Sequence, residues 1–156
     1  MPRGVAARPS MFSEYGVQLT RGFRALKVWM SLKAHGAAKF ARLIEQNVEQ
    51  ARALGHGLDA EPELQRLAPV SLNVVCFRYV GRRAPEARLC TWNRELLCRL
   101  HESGVAVPSY TTLDRRYRLR VCLTNHRTRQ EDLDLLVHEV LRLGREIAGG
   151  TAAKPA

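Results

Sequence analysis

Residues 105–147, VAVPSYTTLDRRYRLRVCLTNHRTRQEDLDLLVHEVLRLGREI, decide the fold. Val105, Val107, Tyr110 and Thr112 favour an extended chain, and residues 113–116 are few enough to turn it back as a hairpin. Tyr117, Leu119, Val121 and Leu123 then alternate with Arg118, Arg120, Cys122 and Thr124. Successive side chains of a strand point to opposite faces, so this strand has one apolar face and one polar face. After residues 125–127 the spacing changes to that of a helix. Leu133, Leu136, Val137, Val140, Leu143 and Ile147 share one stripe. Thr128 stands where it could cap that helix, with Glu131 three residues on to complete a capping box. A two-faced strand beside a helix with one apolar stripe predicts a sheet covered on one side.

Working back toward the N-terminus, Leu89, Trp92, Leu96, Leu97 and Leu100 lie on one face of a helix that opens at Pro85 and stops near Gly104. Residues 72–80, LNVVCFRYV, are the most strand-like window of the chain, bounded by Pro69 and Gly81. Residues 64–68 read as a shorter strand. Phe40, Leu43, Ile44, Val48, Ala51, Leu54 and Leu58 form the stripe of a long helix. Before it, Phe23, Leu26, Lys27 and Met30 follow helical spacing from a cap at Thr20 to Gly36. The order is helix, helix, strand, strand, helix, strand, strand, helix. It predicts an α+β fold: a mostly antiparallel sheet covered by helices and preceded by two long helices. The expected divisions are a disordered segment 1–12, leading helices 13–60, an α+β domain 61–148 and a frayed tail 149–156. The two leading helices have no strand of their own to cover, so they are expected to pack against a missing large domain.

The formal charge is +10, carried mainly by arginine, since Lys27, Lys33, Lys39 and Lys154 are the only lysines. The arginines are scattered and form no run of four, which reads as solvated faces more than as a nucleic-acid patch. Cys76, Cys90, Cys98 and Cys122 include no CxxC pair. They read as small buried hydrophobes in a reducing, cytoplasmic setting, with no metal site. No apolar run approaches the roughly 20 residues of a membrane span. The opening MPRGVAARPS lacks the apolar stretch of a signal peptide.

No constellation supports an autonomous enzyme. There is no HExxH, GxSxG, P-loop or GxGxxG. His35 and His56 fall at helix ends or loops, and His101 and His138 on amphipathic helices. Asp132 and Asp134 favour the positive end of the last helix rather than acid–base work. Arg120 stands apart. On an inner strand, on the face away from the helices, its guanidinium can present a rigid fork to a carboxylate.

Three stretches carry a resemblance to a known family. They are RGFRALKVWMSLKAHG (residues 21–36), VCFRY (75–79) and RYRLRVCLTNHRTRQEDLDLLVHEVLRLG (116–144). Together they resemble the C-terminal part of group II pyridoxal-phosphate-dependent amino-acid decarboxylases, the relatives of aromatic-L-amino-acid and glutamate decarboxylases. The resemblance spans residues 15–147. It implies a fold type I enzyme, a homodimer in the family, of which this chain matches only the small C-terminal domain and the helix leading into it. It implies a lyase acting on an amino acid, with Arg120 at the position of an arginine that contacts a substrate carboxylate in glutamate decarboxylase-like members. Arg21, Arg24 and Lys27 match basic positions of the leading helix, where they would contact a mobile loop or the large domain.

The family's cofactor lysine follows a histidine, and here Lys27 and Lys33 follow leucines while Lys39 and Lys154 follow alanines. The resemblance therefore implies pyridoxal phosphate held by another part of the enzyme or by a partner chain, and no activity for this chain alone. Gly22 stands where many relatives have a second arginine. Asp114 and Arg115 occupy a hairpin turn where glycine is expected, because a turn with φ > 0 suits glycine. The opening segment matches nothing in the family and suggests a truncated reading frame.

The alternative from a different class is a free-standing basic α+β module binding RNA or another anion. Its support is the charge and the antiparallel sheet. Against it, Tyr79, Tyr110 and Tyr117 are scattered and form no base-stacking cluster. A third option is a relic with exposed apolar helices.

Overall fold

The computed structural model describes residues 15, 17, 22–82 and 84–150. The elements follow the expected order: α1 (Arg24–His35), α2 (Ala37–Ala60), β1 (Leu64–Arg66), β2 (Val74–Tyr79), α3 (Glu86–Glu102), β3 (Ser109–Leu113), β4 (Arg116–Cys122) and α4 (Gln130–Ala148). Two compact units result, Met1–Phe40 and Ala41–Ala156.

In the first unit, α1 ends at Gly36, whose φ of 77° a side chain would strain. The expected cap at Thr20 lies outside the described residues. The helix starts at Arg24, with Phe23 at the cap position and no side-chain hydrogen bond there. No residue of α1 is buried. Phe23, Leu26, Val28, Trp29, Met30 and Leu32 are all exposed.

In the second unit the four strands lie in the order β1-β2-β4-β3, each antiparallel to its neighbour. Val75 pairs with Val121 and Phe77 with Leu119, so apolar residues of the two central strands share a face. Leu96 and Leu100 of α3 and Val140 of α4 join them in a core where all of these residues are buried and all but Val121 are fully inaccessible. Burying such a side chain contributes roughly 1.5–3 kcal/mol. Ala51, Leu54 and Leu58 belong to the same cluster. The expectation that both leading helices lack a covering therefore fails for the second half of α2. Its stripe is completed by the core of residues 61–148.

Two side chains that the apolar pattern passes over fix this arrangement. Asn93 is fully buried on α3. Its Oδ1 accepts the Tyr79 backbone N–H at 2.8 Å, and its Nδ2 donates to the Tyr79 carbonyl at 2.8 Å. The amide pairs with the strand end as another strand would. Gly144 of α4 makes the second contact. A Cβ there would come within 2.6 Å of the Tyr79 ring, so only glycine lets helix and ring approach this closely.

Local signals were shifted in three places. The cap of α4 is Arg129, whose N–H is accepted by Asp132 Oδ2 at 2.9 Å, one residue later than the expected Thr128–Glu131 pair. Thr128 is engaged elsewhere: its carbonyl accepts from Gln50 Nε2 at 2.5 Å. Pro85 is the cap of α3 rather than its first helical residue. The cysteines are not buried as expected: Cys76 and Cys90 are half-buried, and Cys98 and Cys122 are exposed. Cys90 packs at the margin of the core, while Cys76 and Cys122 lie on the face of the sheet away from it.

Replacing Asn93 with Leu strands two buried backbone groups, each worth about 1–3 kcal/mol. Urea unfolding should register a loss of about 2–4 kcal/mol; a loss below about 1 kcal/mol would mean that water takes over the amide's role. The β3–β4 turn supplies an opposite case. Asp114 (φ 52°) and Arg115 (φ 60°) both sit in the left-handed region without being glycine. Arg115→Gly should therefore raise stability by roughly 0.5–1 kcal/mol in the same measurement, since it relieves backbone strain.

Candidate functional site

The helices cover one face of the sheet, and the alternate residues of the strands populate the other. Cys76 pairs with Arg120 across β2 and β4, and Ser109 pairs with Arg120 across β4 and β3. Thr111 and Arg118 form the next row, and Arg78 lies one step beyond the Phe77–Leu119 pair. Three arginines therefore share this face. None of the described residues that alternate onto it from the four strands is aromatic, so nothing supports a base-stacking platform and the reading as an RNA-binding module.

The three arginines are in different states. Arg78 is 5% exposed; it donates to Gln65 Oε1 at 2.9 Å and Glu86 Oε1 at 2.5 Å. Arg118 is 4% exposed; its two terminal nitrogens donate to the carbonyls of Leu67 and Leu113 and to Asp114 Oδ2, at 3.2–3.3 Å. Among the described residues its Nε is buried without a partner. Arg78 ties β2 to β1 and to the start of α3, and Arg118 ties β4 to the loop after β1 and the turn after β3. A buried charge without such partners would be strongly destabilising, so these contacts are structural.

Arg120 is exposed on an inner strand, as expected. Its Nε donates to Ser109 Oγ at 2.9 Å, and the Ser109 hydroxyl donates to the Arg120 carbonyl at 3.2 Å. Its terminal nitrogens have no hydrogen bond among the described residues. Sequence reasoning did not find that Arg78 and Arg118 are buried. Alternation places all three on one face; Gln65 and Glu86 around Arg78, and the loop after β1 and the turn after β3 around Arg118, distinguish them.

Arg24 and Lys27 stand three residues apart on exposed α1, so they share one side of that helix. Arg21 lies outside the described residues. Lys27 borders a shallow apolar hollow of about 330 Å³ with Val28, Ser31, Leu32 and Phe40. Lys33 lies over the Trp29 ring at 5.9 Å. Lys39 is exposed on α2. Anchoring pyridoxal phosphate requires a lysine beside donors for a phosphate and a carboxylate for the ring nitrogen. The described lysines sit on solvated helix surfaces with neither, so these residues do not fit the cofactor. The described histidine, cysteine and acidic residues form no metal-binding group. No described helix is long and apolar enough to cross a membrane.

A second concave region, of about 390 Å³, lies at the end of β2 and is lined by Glu63, Tyr79, Arg82, Trp92 and Arg145, among others. Tyr79 Oη donates to Glu63 Oε2 at 2.9 Å, and Arg145 donates twice to Glu63 Oε1, at 2.7 and 2.9 Å. The Arg145 hydrogen bonds hold the Glu63 carboxyl below its ordinary value; burial opposes them and the Tyr79 hydroxyl assists. Burial, then the Glu63 carboxylate, pushes the Tyr79 phenol up to about 12. A neutral phenol and an ionised carboxylate form a structural clasp here, with no proton poised for transfer near neutral pH.

Comparison with known proteins places this geometry. The family described as the pyridoxal-dependent decarboxylase conserved domain matches residues 8–80. An aromatic-L-amino-acid decarboxylase from Bacillus atrophaeus is 30% identical over 138 residues, covering 88% of this chain and 29% of that protein. An L-2,4-diaminobutyrate decarboxylase from Rhizobium meliloti is 29% identical over 135 residues, covering 86% of this chain and 27% of that protein. The crystal structure of Oryza sativa TDC with PLP and tryptamine superposes with a TM-score of 0.79 at 24% identity, over 87% of this chain and 29% of that one. The chain thus spans less than a third of the length of the relatives it matches.

The clasp has a pH signature with a definite sign. Glu63 is more acidic folded than unfolded, so its contribution is present above the ordinary carboxylate value of 4.5 and is lost as pH falls through it. Tyr79 is less acidic folded, so its contribution is complete below 10 and is lost as pH rises from 10 toward 12. The thermal midpoint should fall on both sides of that window. Glu63→Gln should flatten the acid limb only in part, because Asp59 and Glu139 are likewise lowered by Arg66 and Arg142. Tyr79→Phe should flatten the alkaline limb only in part, because burial raises the Tyr117 phenol as well. An unchanged acid limb in Glu63→Gln would remove Glu63 from this account.

Proposed function

This chain is related to the group II pyridoxal-phosphate-dependent amino-acid decarboxylases, and on that premise we propose that it is the small-domain segment of such a carboxy-lyase. The observation that carries the reading is Arg120: an exposed guanidinium on an inner strand, its terminal nitrogens unengaged among the described residues, on a face that the helices leave open. Arg120 binds and orients the substrate carboxylate through its fork. Arg21, Arg24 and Lys27 contact a mobile loop or the large domain of the enzyme, and segment 13–60 forms the junction with it. The exposed apolar residues of α1 support that role, since a helix that buries none of its apolar side chains gains stability from a partner surface. Pyridoxal phosphate supplies the electron sink for decarboxylation from residues outside these 156, in a continuous or partner chain, and the working enzyme is a homodimer. Four free thiols support a cytoplasmic setting.

The relatives act on both aromatic and diamino substrates by their names, so the amino acid is left at the level of its α-carboxylate, which all of them share. On this reading, the purified chain mixed with pyridoxal phosphate and an aromatic or acidic amino acid releases no carbon dioxide. Joined to a cofactor-bearing large domain, it supports turnover. There Arg120→Ala should raise KM by roughly 10–100-fold, the worth of a charged hydrogen bond. Arg120→Lys, which keeps the charge but not the fork, should fall between. An Arg120→Ala enzyme with unaltered KM and kcat would sink the assignment.

A further inference from the structure

We infer that Ser109 is a positioning residue that makes Arg120 grip a carboxylate end-on, through its two terminal nitrogens; this rests on the reading of Arg120 given above. A guanidinium can offer a carboxylate either of two kinds of edge: the pair of terminal nitrogens, or Nε with one of them. Ser109 decides between them. Its Oγ accepts the Arg120 Nε–H at 2.9 Å and donates its own proton to the Arg120 backbone carbonyl at 3.2 Å. The hydroxyl has one proton, and that proton is committed to the carbonyl, so a lone pair faces Nε. The two residues are register partners on adjacent strands, so the clamp is set by the sheet ladder rather than by a mobile loop.

The clamp has two effects. It removes the Nε edge from competition and leaves the terminal pair directed outward. It also restrains a side chain whose free rotation would otherwise be lost on binding, so less conformational entropy is given up when the carboxylate is gripped. Arg78 and Arg118 on the same face cannot substitute, because each is buried and engaged with other groups. Ser109 itself is exposed and lies on the outermost strand, so its replacement leaves the core intact.

The test uses the full chain in solution, with glutarate as a carboxylate probe that lacks an amino group. In the native chain, nitrogen-detected NMR should show a single Arg120 Nε–H resonance in slow exchange with water. Ser109→Ala should abolish that protection, and Ser109→Thr, which keeps the hydroxyl, should restore it. Glutarate should shift the Arg120 resonances, with affinity weakened about 5–10-fold in Ser109→Ala, about one hydrogen bond's worth, and within about twofold of native in Ser109→Thr. If Ser109→Ala binds glutarate as the native chain does while Arg120→Ala loses binding, positioning by Ser109 is refuted and the carboxylate role of Arg120 stands. If the native chain and Arg120→Ala respond identically to glutarate, the carboxylate role fails and this inference falls with it. An Nε–H that stays protected in Ser109→Ala overturns the clamp directly.

Discussion

The second unit depends on how Tyr79 is held at the end of β2. Its ring lies against the one position of α4 where a Cβ would intrude, Gly144. Its backbone is bonded in both directions by Asn93 of α3. Its hydroxyl reaches Glu63, which pairs with Arg145 of α4. One residue thereby fixes two helices and the segment before β1 against the sheet. The three contacts differ in kind: steric, neutral hydrogen bonding and charge-assisted. No single change of salt or pH removes all of them.

That arrangement leaves charge to be managed on the uncovered side of the sheet. Arginine on an open strand face is ordinarily solvated, yet Arg78 and Arg118 are nearly inaccessible. Their guanidiniums are matched to Glu86, Gln65, Asp114 and two carbonyl groups. Arg118 spans from the loop after β1 to the turn after β3, so it also stabilises the carbonyl of Leu113 just before the strained Asp114–Arg115 pair. Arg120 has only the Ser109 clamp. The contrast between buried, anchored guanidiniums and an exposed one on the same face singles out Arg120 more sharply than its position does.

Much of this was legible in the chain. The alternation of Tyr117, Leu119, Val121 and Leu123 with Arg118, Arg120 and Cys122 gave the two-faced strand and placed Arg120 on the correct side. The element order followed from periodicity, since stripes of Leu and Val switch cleanly between periods of two and of three to four. What stayed hidden depends on distant partners. Asn93 interrupts an apolar stripe and reads as a surface residue until Tyr79 is brought beside it. The burial of Arg78 and Arg118 depends on partners in other elements and loops, Gln65 and Glu86 for the one and Leu67 and Leu113 for the other, which no local pattern brings together. The second half of α2 looked unpartnered because its stripe packs on residues far along the chain. Capping was misplaced by one residue at α4 because Thr128, a good cap by type, has its carbonyl bonded to Gln50, while Asp132 reaches the N–H of Arg129.

The single-sided covering of the sheet carries an evolutionary consequence. Along β4, odd-numbered positions 117–121 pack into the core, while of the even-numbered ones Arg118 is buried and ties the loop after β1 to the turn after β3, and Arg120 is exposed. A substitution at residue 120 can therefore change what this open face presents to its surroundings while the hydrophobic interior beneath it stays as it is.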